Sequence, residues 1–310
     1  MATLTRKDQN KKPPESNPLL DQLLAPPTLR AGLKRRKKWL TERGREFKIN
    51  KPRQIEPRGL ERKGMREYRK RISELIRLVE INVIENLPFL LDDDDSTKPV
   101  LAKPKRDALA DDVSLLIRGV RVQYLRTMTD EQLATTAQQL GLEVSEHSLR
   151  ELSRTLKTVV DIDVFQDEPF LRAQVENYVQ QNVALIKSVE DRYLAEVERE
   201  VFAGARQGLS TKDISATIRK RGKVAKSRAD LIARDQVNKF NGQLSKLRQT
   251  NIGVERYVWR TSLDERVRPE HRAREGKIFD WDSPPGDGHP GEPINCRCYA
   301  EPILEDLIEG

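Results

Sequence analysis

Apolar residues recur along most of this chain at intervals of three and four, the spacing of a helix with one buried face. From Gly59 to Leu87 they are Met65, Tyr68, Ile72, Leu75, Ile76, Val79, Val83 and Ile84, which predicts an amphipathic helix ended by Pro88. Leu109, Val113, Leu116, Ile117, Val120 and Tyr124 predict a second. Thr129 and Gln132 stand at capping-box spacing, and Gly141 reads as the matching stop. Leu149, Leu152, Leu156 and Val159 predict the next helix, with His147 at its start read as a surface residue. The longest periodic run is Phe170 to Phe202, a helix of about 45–50 Å at ~1.5 Å per residue. Gly204 and Gly208 then loosen the chain. Ser210 with Asp213 opens a short helix that stops at Gly222, and Ser227 with Asp230 opens another through Leu247. With Arg219, Lys220, Arg221, Lys223, Lys226 and Arg228 between them, these two helices superficially resemble a helix-turn-helix array. The turn is too long, and the second helix too apolar, for a base-reading element.

The period changes after residue 255. Glu255 to Thr261 is rich in β-forming residues and predicts a strand. Pro269 suits the first position of a short helix through Glu275. Lys277 to Trp281 predicts a second strand and Cys298 to Ile303 a third. The loop between them, Asp282 to Ile294, holds four prolines and three glycines. The expected fold is mainly α: long helices, a small C-terminal α+β module with a short antiparallel sheet, and a largely extended basic N-terminal arm. The expected layout is an arm over 1–58, a helical region over 59–165, a long-helix region over 166–250 and a compact module over 251–310.

Charge sharpens the picture of the arm. Residues 1–71 carry 22 Lys and Arg against 8 Asp and Glu, while the rest carries 35 against 41. A basic arm on a mildly acidic body implies a polyanionic partner, double-stranded DNA above all. Lys34, Arg35, Arg36, Lys37 and Lys38 form its densest run, with Trp39 and Phe47 nearby for stacking on a base or on a protein pocket. Leu19, Leu20, Leu23 and Leu24 make a short apolar knot that suits docking on a partner. Asp92 to Asp95 reads as a solvated linker, because adjacent side chains diverge. No apolar run is long enough to cross a membrane. The first residues lack the apolar segment of a secretory signal.

Candidate chemistry is confined to the C-terminal module. Cys296 and Cys298, the two cysteines of the chain, are one residue apart, too close for an unstrained disulfide. With His271 and His289 they supply four N and S donors, the set a tetrahedral zinc ion takes. On a strand, both cysteines would face one side. The alternative is that the cysteines are packed core residues and that His271 pairs with Asp264. Cysteine with histidine and aspartate also suggests a thiol nucleophile, and Asp264, Glu270 and His271 a metal-dependent hydrolase. No nucleophile elbow or phosphate loop accompanies them, and no catalytic residue is assigned. Asp264, Arg266, Arg268 and His271 read instead as structural ties between a long loop and a small sheet.

The run from Trp259 through Arg260, Thr261, Ser262, Leu263, Asp264, Arg266, Arg268 and His271, followed by Gly276, His289-Pro290 and Asn295-Cys296-Arg297-Cys298, resembles the phage Mu F-like family of minor head, or head morphogenesis, proteins. The stretch GLSTKDISATIRK with SRADLIARDQVNKFNGQLSKLRQ is similar to the helical half of the same domain. The resemblance covers roughly Phe170 to Leu304. Val267 and Asp235-Gln236 depart from the family's common threonine and threonine-glutamate. The resemblance implies a tailed-phage protein present in few copies, associated with the portal and with capsid or scaffolding protein. It implies a place inside the head of the virion, reached from the host cytoplasm during assembly, and a role in DNA packaging or ejection. It brings no established catalytic activity. Self-association is a further expectation.

Overall fold

The computed structural model describes residues 34–35, 37–44, 57–91, 106–160 and 168–305. Arg36, Phe47, the leucines at 19–24 and Asp92 to Asp95 lie outside them. The described residues are mainly helical, with one three-stranded antiparallel sheet near the C-terminus. In chain order the helices are α1 (Arg58–Val79), α2 (Leu87–Leu90), α3 (Arg106–Thr127), α4 (Asp130–Val160), α5 (Leu171–Gln207), α6 (Thr211–Asn251) and the single turn α7 (Pro269–Arg272). The strands are β1 (Arg256–Arg260), β2 (Ile278–Asp280) and β3 (Tyr299–Pro302).

Helix starts follow the predicted chemistry. Gln132 N–H donates to Thr129 Oγ1 and Thr129 N–H to Gln132 Oε1, both at 3.1 Å, a reciprocal capping box at α4. Ser210 caps α6 by accepting from Asp213 N–H. Gly208 ends α5 at φ 68°, the left-handed conformation glycine adopts without strain.

Helix stops depart from prediction. Pro88 does not terminate the first helix. α1 gives way at Val79 to a π-helical stretch, Glu80–Ile84, and Pro88 sits in the first turn of α2. Gly141 lies inside α4, and Gly222 inside α6, so neither is a stop. A Cβ on Gly141 would come within 3.0 Å of Tyr178, and one on Gly222 within 3.2 Å of Ile76. Both glycines therefore mark close helix–helix approach, which outweighs their low helix propensity. Ser227 bonds back to Lys223 O within the same helix. The expected pair of short helices is one helix of 41 residues, longer than the 37 of α5, and the helix-turn-helix resemblance falls with it.

The helices share one principal core. Tyr68, Ile72, Leu75 and Val79 of α1 meet Val120 and Tyr124 of α3, Val189, Tyr193 and Val197 of α5, and Ile214, Ile218 and Ala229 of α6. A second cluster joins Leu140 and Val144 of α4 to Tyr178 of α5 and Phe240 and Leu244 of α6, with Tyr178 stacked on Phe240 at 4.6 Å. Charged groups inside this body are matched. Arg71 Nε donates to Glu190 Oε1 at 2.5 Å, and Tyr124 OH donates to the same oxygen at 2.6 Å.

α6 also carries the C-terminal module. Beyond Gly253 (φ 83°) the chain turns into β1, the central strand of the order β2-β1-β3. β1 pairs Tyr257 with Phe279 on one side and Trp259 with Ala300 on the other. Gln249, at the end of α6, donates to Ala300 O at 2.9 Å and accepts from the Trp281 indole at 3.3 Å. Pro290 and Gly291 lie so close to Gly242 that any side chain there would strike the loop backbone. The module is thus seated on the last turns of α6 through backbone contact.

A candidate metal centre in the C-terminal module

Pro269 opens α7 and projects His271 from its single turn. Cys296 and Cys298 precede β3. Their sulfurs lie 3.6 and 3.4 Å from His271 Nδ1, and the three donor atoms sit within 4.8 Å of one another. A tetrahedral ion with bonds of about 2.3 Å to sulfur and about 2.0–2.1 Å to nitrogen would separate its N and S ligands by roughly 3.5 Å. The donor set fits that edge length. Three ligands leave one coordination position to another group.

The surroundings also suit a ligand histidine. His271 Nε2 faces Asp287 Oδ2 at 2.9 Å, so a carboxylate orients the ring from the side away from the sulfurs. Arg274 Nη1 donates to Asp287 Oδ1 at 2.5 Å, and its guanidinium lies 4.9 Å over the Trp259 ring. Gly291 N–H donates to Cys296 Sγ at 3.4 Å. A hydrogen bond from Cys298 to Cys296 holds the Cys296 thiol below the usual range, at about 6, with Gly291 N–H acting in the same direction and burial opposing both. The same bond and burial push Cys298 up. His271 and Cys296 are 2% exposed and Cys298 is 8%, so no substrate-sized group reaches them in this conformation.

His289, expected as the fourth ligand, is not in the converging set. Its Nδ1 lies 2.9 Å from Tyr257 OH, and its ring lies against Trp281 at 4.9 Å. Burial lowers its pKa, with Lys246 adding to the effect, so the neutral ring is favoured. It closes the aromatic cluster of Tyr257, Phe279 and Trp281 that lines one side of the sheet.

The alternative pairing of His271 with Asp264 gives way to a different one. Asp264 takes both terminal nitrogens of Arg297, one of them at 2.6 Å, and accepts Arg266 N–H at 3.0 Å. The Arg297 hydrogen bond holds its carboxyl below the ordinary carboxylate range. Arg268 Nη2 reaches Ile294 O at 2.5 Å, bracing the loop. Trp259 is fully buried, and Gly276 turns at φ 77° with its N–H on Trp259 O. Asp287, the partner of His271, carried no periodic or motif signal in its proline- and glycine-rich loop.

The arm residues Lys34, Arg35, Lys37, Lys38 and Trp39 fall in a helical stretch. Trp39 is 48% exposed, with the Arg43 guanidinium 4.1 Å over its ring, so a stacking face is partly taken. Among the described residues no helix is long and apolar enough to cross a membrane.

Residues 195–301 match the family described as Phage Mu protein F like protein. The matched span takes in the end of α5, all of α6 and the module through most of β3. An uncharacterized protein of Haemophilus influenzae is 30% identical over 248 residues, covering 77% of this chain and 53% of that protein. The chain thus spans about half the length of this curated relative. No solved structure matches the chain significantly.

Proposed function

We propose, on the premise of the Mu F-like match over residues 195–301, that this chain is a minor head protein of a tailed phage acting in head morphogenesis. The carrying observation is that the matched residues form one physical unit: α6 and the sheet are joined by Gln249, Gly242 and Gly291. The protein lies inside the head, beside the portal and capsid or scaffolding protein, and serves procapsid assembly and DNA packaging or ejection. Its basic arm, with Lys34 to Lys38 and Trp39, contacts the packaged double-stranded DNA. Its role is structural, not enzymatic. Quantitative mass spectrometry of purified procapsids and virions of the encoding phage tests this. A few copies per particle, co-purifying with portal, are expected. Absence from both particles contradicts the reading.

Within that function, His271, Cys296 and Cys298 hold a zinc ion that closes the module. A sheet of strands three to five residues long has too small a core to hold two long connections, one of them proline-rich, unaided. Bound zinc would supply cross-links between α7 and the segment before β3, and Asp287 would orient the His271 ring.

A second reading, a hydrolase acting during head maturation, is favoured by one observation. Cys298 Sγ, His271 and Asp287 lie in series, the order of a thiol nucleophile, its base and an orienting carboxylate. Burial of all but Asp287 weighs against it. Measured turnover on DNA or protein, lost in Cys298→Ser with the fold retained, would favour the enzyme. Loss of the folded module in that variant would favour the structural site.

A further inference from the structure

Beneath the module, α1, α6 and two loops enclose an open cleft of about 510 Å³. Six arginines line it: Arg58 and Arg62 from α1, Arg234 from α6, Arg266 and Arg268 before α7, and Arg297 before β3. One acidic residue, Glu61, joins them, and its carboxylate is buried against the Asn238 amide at 2.8 Å. Asp264 neutralises Arg297. Arg62, Arg234, Arg266 and Arg268 have no carboxylate partner among the described residues. Arg234 and Arg268 touch only backbone carbonyls, of Asp230 and Ile294. Guanidinium groups gathered from three separate parts of the sequence repel one another unless an anion sits among them.

We propose that this cleft is a phosphate-backbone site for double-stranded nucleic acid. Planar guanidiniums donate in pairs to phosphate oxygens, which makes arginine the residue suited to this ligand. The cations also extend beyond the cleft. Arg62 is shared with a shallower groove on α1 lined by Arg66, Arg69 and Lys70, in which Arg69 is paired with Asp230 and Arg66 lies 3.4 Å from Glu67 Oε1. From Arg58 to Lys70 the helix advances about 18 Å at ~1.5 Å per residue. One DNA strand presents a phosphate about every 3.4 Å of helix axis, so the row matches roughly five phosphates rather than one. In the sequence, the lysine and arginine run at 34–38 precedes Arg58. Only the identity of the polyanion as packaged DNA rests on the head-protein reading. The site itself rests on the arginines.

The test is fluorescence anisotropy of a labelled 30-base-pair duplex with the full chain across a salt series. Arg62→Gln/Arg266→Gln is compared with an arm variant, Lys34→Gln/Arg35→Gln/Lys37→Gln/Lys38→Gln. Among the described residues neither the Arg62 nor the Arg266 side chain makes a hydrogen bond or ion pair, so an unchanged thermal midpoint is expected. The cleft variant should bind on the order of ten-fold more weakly at 150 mM salt, with its log–log salt slope shallower by about 2. Wild-type binding that only the arm variant weakens overturns the cleft while leaving a DNA-contacting head protein standing. No duplex binding by the wild type overturns the cleft's assignment and the DNA part of that reading together. Displacement of the duplex by millimolar inorganic phosphate marks a single-anion pocket and overturns the backbone site. Binding of polyglutamate in place of duplex assigns the cleft to an acidic protein partner and overturns it also.

Discussion

Arg248 shows what a single residue contributes to this fold. It is fully buried in α6, donates twice to Glu168 at 2.5 and 2.8 Å, and reaches Ser145 O and Oγ in α4 at 3.0 and 2.8 Å. One side chain thus ties α6 to α4 and to the start of α5. Removing one member of a buried pair leaves the other charge without compensation. Arg248→Met should therefore destabilise the protein by about 3–5 kcal/mol in denaturant unfolding, against near zero for Arg192→Met on the exposed face of α5. Sequence reading had no access to this tie, since nothing in the local pattern relates residue 248 to 168 or 145. The converging histidine and cysteines were different. His271, Cys296 and Cys298 were legible because the chemistry of few residue types is specific. Their supporting partner, Asp287, was not, because one carboxylate among 49 acidic residues carries no chemical signature. His289 was a plausible donor by type, yet its Nδ1 is taken by Tyr257 OH and it is not among the three converging donors.

At the scale of elements, helix existence was readable from the 3-4 period and the caps, while helix length was not. Gly141 and Gly222 looked like stops because glycine is a poor helix former. Their positions are fixed instead by what lies across the interface, Tyr178 and Ile76, which no local rule reveals. The same physics separates two further glycines. Gly119 is exposed in α3 with nothing near its missing Cβ, whereas a Cβ on Gly204 in α5 would overlap the buried Ile214. Gly119→Ala should stabilise by about 0.5–1 kcal/mol through helix propensity. Gly204→Ala gains the same term but should lose about 1–3 kcal/mol to overpacking, for a net loss. Thermal melts of the two variants check the contrast. Equal shifts would mean that α5 and α6 are not closely apposed at that level.

Across the whole molecule, the helical body and the small sheet were anticipated, and the way they join was not. The periodic stripes predicted buried faces without saying which faces meet. α6 proves to be the common element: it packs on α1, α4 and α5 and then supports the module through Gln249 and Gly242. The charge reading also shifts with the fold. The basic run at 34–38 is visible in sequence, but the arginine cleft is built from residues 58–62, 234 and 266–297, which only the tertiary structure brings together.

The proposed zinc at His271, Cys296 and Cys298 would close the C-terminal module into a folded unit. Metal content of the full chain, purified without chelator, tests it most directly. About one zinc per chain is expected, lost in Cys296→Ser/Cys298→Ser together with the near-ultraviolet dichroism of the buried Trp259 and Trp281, while the helical signal persists. A metal-free protein whose module stays folded, with or without the two cysteines, would contradict it.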